Sequence, residues 1–175
     1  MKTSFLRIPI LLLFLLGFNV VASAQTTDQK VYKCIPCGQA CDDKTFSQPG
    51  ECESCHMKLV EASTIQFTTV SPESICAYIT SHPDAVLLDV RTAKEYKGAA
   101  EPDYGTLKNA INIPIQELEK RLEELQAYKD REIIVFCSHS HRSPQAAYLL
   151  TQNGFTNVTN MAGGMSVVTD PSCKH

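Results

Sequence analysis

Five of the chain's eight cysteines, Cys34, Cys37, Cys41, Cys52 and Cys55, crowd into one short stretch with few large apolar residues and several turn formers, including Pro36-Cys37-Gly38 and Pro49-Gly50. Burial alone cannot close a core there, so something has to staple it. Cys34-Ile35-Pro36-Cys37 and Cys52-Glu53-Ser54-Cys55 are two C-x-x-C pairs, a spacing that sets four thiolates around one tetrahedral ion. Zn²⁺ is the default ion for such thiolates, and its binding would supply the missing folding free energy. In an oxidising compartment the same cysteines could pair as disulfides instead, and both arrangements stay open. The expected ligands are Cys34, Cys37, Cys52 and Cys55.

The first residues read as an address. Lys2 and Arg7 precede an apolar run from Ile8 to Val21 that ends in Ala22-Ser23-Ala24, the layout of a secretory signal peptide over 1–24. Gly17 and Asn19 interrupt the run, which falls short of the roughly 20 apolar residues of a spanning helix. The expectation is a periplasmic or secreted protein with no stable membrane insertion after cleavage. Losing Lys2 and Arg7 takes the formal charge from −3 to −5, and no basic stripe remains, so nucleic acid is not an expected partner. The mature chain has room for a cysteine-rich module over 29–60 and one ordinary domain over 64–170.

In that second part, short apolar runs alternate with helical patterns. A β-branched segment over Ile65 to Val70 leads to Ser71-Pro72-Glu73, which reads as N-cap, first-turn proline and first-turn acid. Ala85 to Asp89 reads as a buried strand, and Thr92-Ala93-Lys94-Glu95 has the spacing of a capping box. Ile115, Leu118, Leu122 and Leu125 mark one face of a surface helix from about Gln116 to Tyr128. Glu132 to Cys137 is the next buried strand, Ser143-Pro144 opens a helix that Gly154 ends, and Phe155 to Asn160 is a last strand. The alternation implies an α/β fold, a parallel sheet flanked by helices, with ligands at the carboxyl ends of its strands.

Cys137-Ser138-His139-Ser140-His141-Arg142-Ser143 lies at such an end, between a strand and a helix N-terminus. A thiol attacks only as thiolate. Backbone N–H groups of a short loop, the positive end of the helix and the charge of Arg142 all favour that anion. A small buried cysteine closing a strand is the alternative on spacing alone.

Leu87-Leu88-Asp89-Val90-Arg91, Asn109-Ala110-Ile111-Asn112-Ile113-Pro114, Val135-Phe136-Cys137 with Arg142-Ser143, and Ala162-Gly163-Gly164 occur in an order that resembles rhodanese domains over about 64–165. The resemblance implies a rhodanese-like fold and sulfur transfer by covalent catalysis. Cys137 would take a sulfane sulfur from a donor such as thiosulfate or a polysulfide and pass it to a thiophilic acceptor. Small sulfur-containing anions and thiols are the implied partners, and no cofactor is needed for the transfer. Cys137 and Arg142 would be catalytic. Ser138, His139, Ser140, His141 and Ser143, with Asp89 and Arg91 in support, would bind substrate. Four residues separate Cys137 from Arg142, as in sulfurtransferases; phosphatases sharing the fold have one more. Ser140 stands where many members have glycine, Thr106 where many have histidine, and Met165 where an aromatic or aliphatic residue is frequent.

Tyr32-Lys33-Cys34 and Pro49-Gly50-Glu51-Cys52-Glu53-Ser54-Cys55-His56-Met57-Lys58-Leu59 look like the small heavy-metal-binding domain of bacterial metal-efflux proteins, with Cys37 where that family has histidine. Two further functions compete with sulfur transfer. One is metal binding or delivery on a non-catalytic rhodanese scaffold. The other is redox sensing through a disulfide from Cys137 to Cys173 or Cys76.

Overall fold

The computed structural model describes residues 29–175; the expected signal peptide lies outside them. Among the described residues no helix is long and apolar enough to cross a membrane.

Two antiparallel strands, β1 (Tyr32–Cys34) and β2 (Leu59–Glu61), pair Cys34 with Leu59 and close the cysteine-rich stretch at its base. Between them a 3-10 turn spans Ala40–Asp43, and the chain doubles back at Cys52, whose N–H bonds the Met57 carbonyl. The buried residues here are mainly thiols, with Met57 and Leu59. A 3-10 turn at Ala62–Thr64 leads onward, and the Thr64 hydroxyl lies 3.0 Å from that of Tyr148 in the domain beyond.

The larger part is a five-stranded, all-parallel sheet. Its strands are β3 (Thr68–Val70), β4 (Val86–Asp89), β5 (Ile111–Asn112), β6 (Ile133–Phe136) and β7 (Val158–Met161), in the order β3-β7-β6-β4-β5. All four residues of β4, β6 and β7 are buried, which is why β4 and β6 read as near-continuous apolar runs rather than alternating ones, while β7 buries the polar Thr159 and Asn160. The helices are α1 (Ile75–Ser81), α2 (Ala93–Tyr96), α3 (Ile115–Leu118) and α4 (Arg142–Gln152). One face of the sheet packs Leu88, Val135 and Val158 with Ala146, Ala147 and Leu150 of α4. The other packs Leu87, Ile134 and Met161 with Ile75.

Two details of the helices depart from the sequence expectations. The cap of α1 falls at Ser74, because Ser71 closes a turn that accepts the Ser74 N–H. The expected surface helix is α over Ile115–Leu118 only; beyond it a 3-10 run over Glu119–Tyr128 breaks at Arg121 (φ −115°, ψ 15°), whose guanidinium grips Glu117 and Glu124. The last residues form no helix. They return along the 106–108 segment, with His175 N–H bonded to Thr106 O and Lys108 N–H to Cys173 O. A disulfide from Cys76 to Cys173 fastens this tail to α1.

Candidate functional site

β6 delivers Cys137 to the carboxyl end of the sheet, and α4 begins at Arg142. The intervening loop folds against the segment after β7: Met165 N–H bonds Cys137 O at 2.7 Å and Ser166 N–H bonds Ser138 O at 3.1 Å. Gly164, at φ +71°, makes this approach possible, since a Cβ there would meet the Ser138 backbone and lie 2.6 Å from the Cys137 carbonyl oxygen. Ser140 sits in the left-handed region at φ +67°. A glycine would be at ease there; the serine hydroxyl accepts the Gly163 N–H at 3.0 Å, which ties the loop to the glycine pair.

The Cys137 thiol is 1% exposed and donates to the Ser143 hydroxyl, Sγ to Oγ 3.4 Å. Arg142 is held by both oxygens of Glu95, at 2.7 and 2.9 Å. Those bonds keep the Glu95 carboxyl well below the ordinary range. They also raise the Arg142 guanidinium, with smaller contributions from the charges of Cys137 and Glu101. The Ser138 hydroxyl lies 2.6 Å from Glu101 and 3.0 Å from Glu95; its single proton goes to one carboxylate at a time. Arg142 Nη2 donates to that hydroxyl from the other side at 3.2 Å. His139 and His141 are exposed. His139 meets Tyr104 edge-on, and His141 turns its Nδ1 to the His139 carbonyl.

The structure thus gathers Cys137, Ser138, Ser140, Arg142 and Ser143 in one loop, with both histidines on its outer side. Asp89 and Arg91 require a correction. Both side chains are fully buried, and Arg91 clasps Asp89 through Nε and Nη2 and donates to Gly105 O. Thr106 donates its hydroxyl to the same Asp89 carboxylate at 2.9 Å. They clasp each other inside the wall of the site, and Arg91 Nη1 is left buried without a hydrogen-bond partner. Two residues missed in the sequence, Glu95 and Glu101, touch the loop. Glu95 was visible only as a capping-box member, a role it also fills. Glu101 carries no local signal.

The cysteine cluster is corrected in one member. The sulfurs of Cys34, Cys41, Cys52 and Cys55 lie within 4.8 Å of one another, Cys34 and Cys55 at 3.6 Å. A tetrahedral thiolate site with Zn–S of about 2.3 Å places its sulfurs about 3.8 Å apart, so this set could hold such an ion. Cys37 stands aside in a group with Cys41 and Asp42. Its amide and that of Gly38 are tied to the Asp42 carboxylate, while the 3-10 turn carries Cys41 inward. Burial pushes the Cys34 and Cys41 thiols up. Hydrogen bonding from the Cys34 thiol draws Cys52 down to about 6. Two thiols held protonated by burial, beside one readily ionised, are an arrangement that a soft cation completes. The Cys37-Gly38 turn reaches the other centre: a Cβ on Gly38 would lie 4.0 Å from Ser140 Oγ and 3.9 Å from Ala162 Cβ.

The redox pairing considered from the sequence is also corrected. Cys76 and Cys173 are bonded to each other, leaving Cys137 a free thiol.

A strand-loop-helix holding a buried cysteine, with arginine at the helix start, is the architecture of the rhodanese-like domain, whose family profile matches residues 76–170. The chain belongs to that family. Over 87 residues it is 34% identical to the tRNA uridine(34) hydroxylase of Cronobacter sakazakii, a match spanning 47% of this chain and 23% of that enzyme. It is 33% identical to the enzyme of the same name from Escherichia coli K12, with the same coverage. The chain therefore spans about a quarter of the length of these curated relatives. Among solved structures, a rhodanese-like domain protein from Staphylococcus aureus shares the fold at 21% identity and TM-score 0.50, covering 61% of this chain and 96% of that one.

Proposed function

We propose that the protein is an exported sulfurtransferase in which Cys137 carries sulfane sulfur as a persulfide between a small donor and a thiophilic acceptor. The observation that carries this reading is the Cys137-to-Arg142 loop, closed by Gly163-Gly164 and holding one free thiol beside Ser143 and a guanidinium. The thiolate attacks the donor's outer sulfur, the sulfur–sulfur bond breaks, and the remainder of the donor leaves with the electron pair. An acceptor thiolate then takes that sulfur and restores Cys137. Export is supported by the leader pattern and by the Cys76–Cys173 disulfide, a bond that persists in oxidising compartments. The four-thiol cluster is assigned zinc, held by Cys34, Cys41, Cys52 and Cys55, with a role in folding the module. The relatives' tRNA chemistry is not adopted: the match covers 23% of their length, and the chain's net charge of −3 does not suit a polyanion.

Intact mass spectrometry of the purified protein, with and without a sulfane donor, tests the reading. The expected result is a gain of one sulfur atom that cyanide removes and that Cys137→Ser lacks. No gain with any donor, while native mass still reports a bound ion, would replace the enzyme by a metal-binding protein built on a rhodanese scaffold.

A further inference from the structure

The Cys137 loop is short of positive charge. Arg142 meets it already neutralised by the two hydrogen bonds it donates to Glu95. Glu101 adds a second carboxylate, 2.6 Å from the Ser138 hydroxyl. The segment bearing it is held in place: Glu101 is left-handed at φ +52°, Arg91 Nη2 donates to Gly105 O at 2.9 Å, and Thr106 N–H bonds His175 O at 3.2 Å. A non-glycine residue keeps such a φ only where its surroundings impose it. Among the side chains that meet Ser138, Arg142, Glu95 and Glu101 sum to one negative charge, and ionising Cys137 makes it two. A dianionic donor enters against that field, whereas a donor with a cationic or zwitterionic carrier does not.

We propose that Glu101 is a specificity-determining residue that selects against dianionic thiosulfate and for persulfides whose carrier brings a positive charge, the simplest being an aminoalkyl persulfide. This deepens the sulfurtransferase reading and rests on it. In the transfer, the Cys137 thiolate attacks the terminal sulfur of R–S–SH, the donor's S–S bond breaks, and the inner sulfur departs with the electron pair as R–S⁻. Cys137 is left as Cys–S–SH, and R–S⁻ takes a proton from water. No outside oxidant or reductant enters.

The test compares second-order rates of sulfur loading on Cys137, followed by intact mass, for 2-aminoethyl persulfide, the size-matched 2-carboxyethyl persulfide and thiosulfate. The parent protein is expected to favour the aminoethyl donor over thiosulfate by at least roughly tenfold, with the preference shrinking as salt is raised. Glu101→Gln is expected to raise the thiosulfate rate about tenfold while the aminoethyl rate stays within about threefold. Glu101→Gly, which also relieves the left-handed backbone, should act in the same direction and guards against misfolding of the glutamine variant. Rate ratios that neither substitution changes, with all donors still loading Cys137, would overturn the role of Glu101 and leave sulfur transfer intact. Loading by none of the three would overturn both.

Discussion

Glu95 does two jobs with one carboxylate, closing the capping box of α2 through the Thr92 N–H and pinning Arg142 at the start of α4. Because Arg142 holds it below the ordinary value of 4.5, the native state favours its ionised form. That contribution to stability is fully present above about pH 4.5 and is lost as pH falls further, toward the depressed native value. Urea unfolding between pH 3 and 6 should therefore show a steeper loss for the parent protein than for Glu95→Gln; equal slopes would refute the linkage. Ser140 gives a second residue-scale prediction. Replacing it by glycine removes the hydrogen bond from Gly163 N–H but relieves a positive φ, so unfolding free energy should change by less than about 1 kcal/mol with Cys137 still loading sulfur. Cys137 and Arg142 were legible in the sequence as a candidate pair because both lie in one short local pattern. Glu101 was not, since it reaches Ser138 across 37 residues, and Pro102 beside it signals a turn but not where the carboxylate goes.

Among the elements, those set by local chemistry were readable: β4 and β6 from their apolar runs, α2 from its capping box, α4 from its apolar face. Those decided by tertiary contact were not. The helix expected to reach Tyr128 breaks at Arg121, although that residue's pairs to Glu117 and Glu124 have helix-supporting spacing, so no local pattern marks the break. The Asp89 and Arg91 pair follows the end of β4 and looks like a site, yet the returning 105–106 segment seals it. The choice between Cys37 and Cys41 rests on the 3-10 turn at Ala40–Asp43, which spacing does not reveal. Exchanging single cysteines for serine separates the two assignments. In zinc-chelator competition followed by native mass, Cys41→Ser should lose affinity by at least roughly tenfold, whereas Cys37→Ser should keep one tightly bound ion. The opposite order would restore the paired C-x-x-C set.

For the whole molecule, the bond between Cys76 and Cys173 closes a loop of 97 residues. By chain entropy such a crosslink stabilises a fold by several kcal/mol, and losing a native one typically costs about 2 to 5 kcal/mol. The double variant Cys76→Ala, Cys173→Ala should unfold at lower denaturant by an amount in that range and still accept sulfur at Cys137, which takes no part in the bridge. An unchanged midpoint would mean that the tail's pairing along Thr106 and Lys108 suffices alone. The bridge also draws a boundary in covalent topology. Cys137, Arg142, Glu95, Glu101 and Gly164 all lie inside one ring, and the thiol cluster lies outside it. A protease that cuts once within the ring leaves both fragments travelling together on a non-reducing gel and parting only on reduction. One that cuts at the 62–67 connection sets the thiol cluster adrift from a ring that keeps every group of the Cys137 loop and its partners.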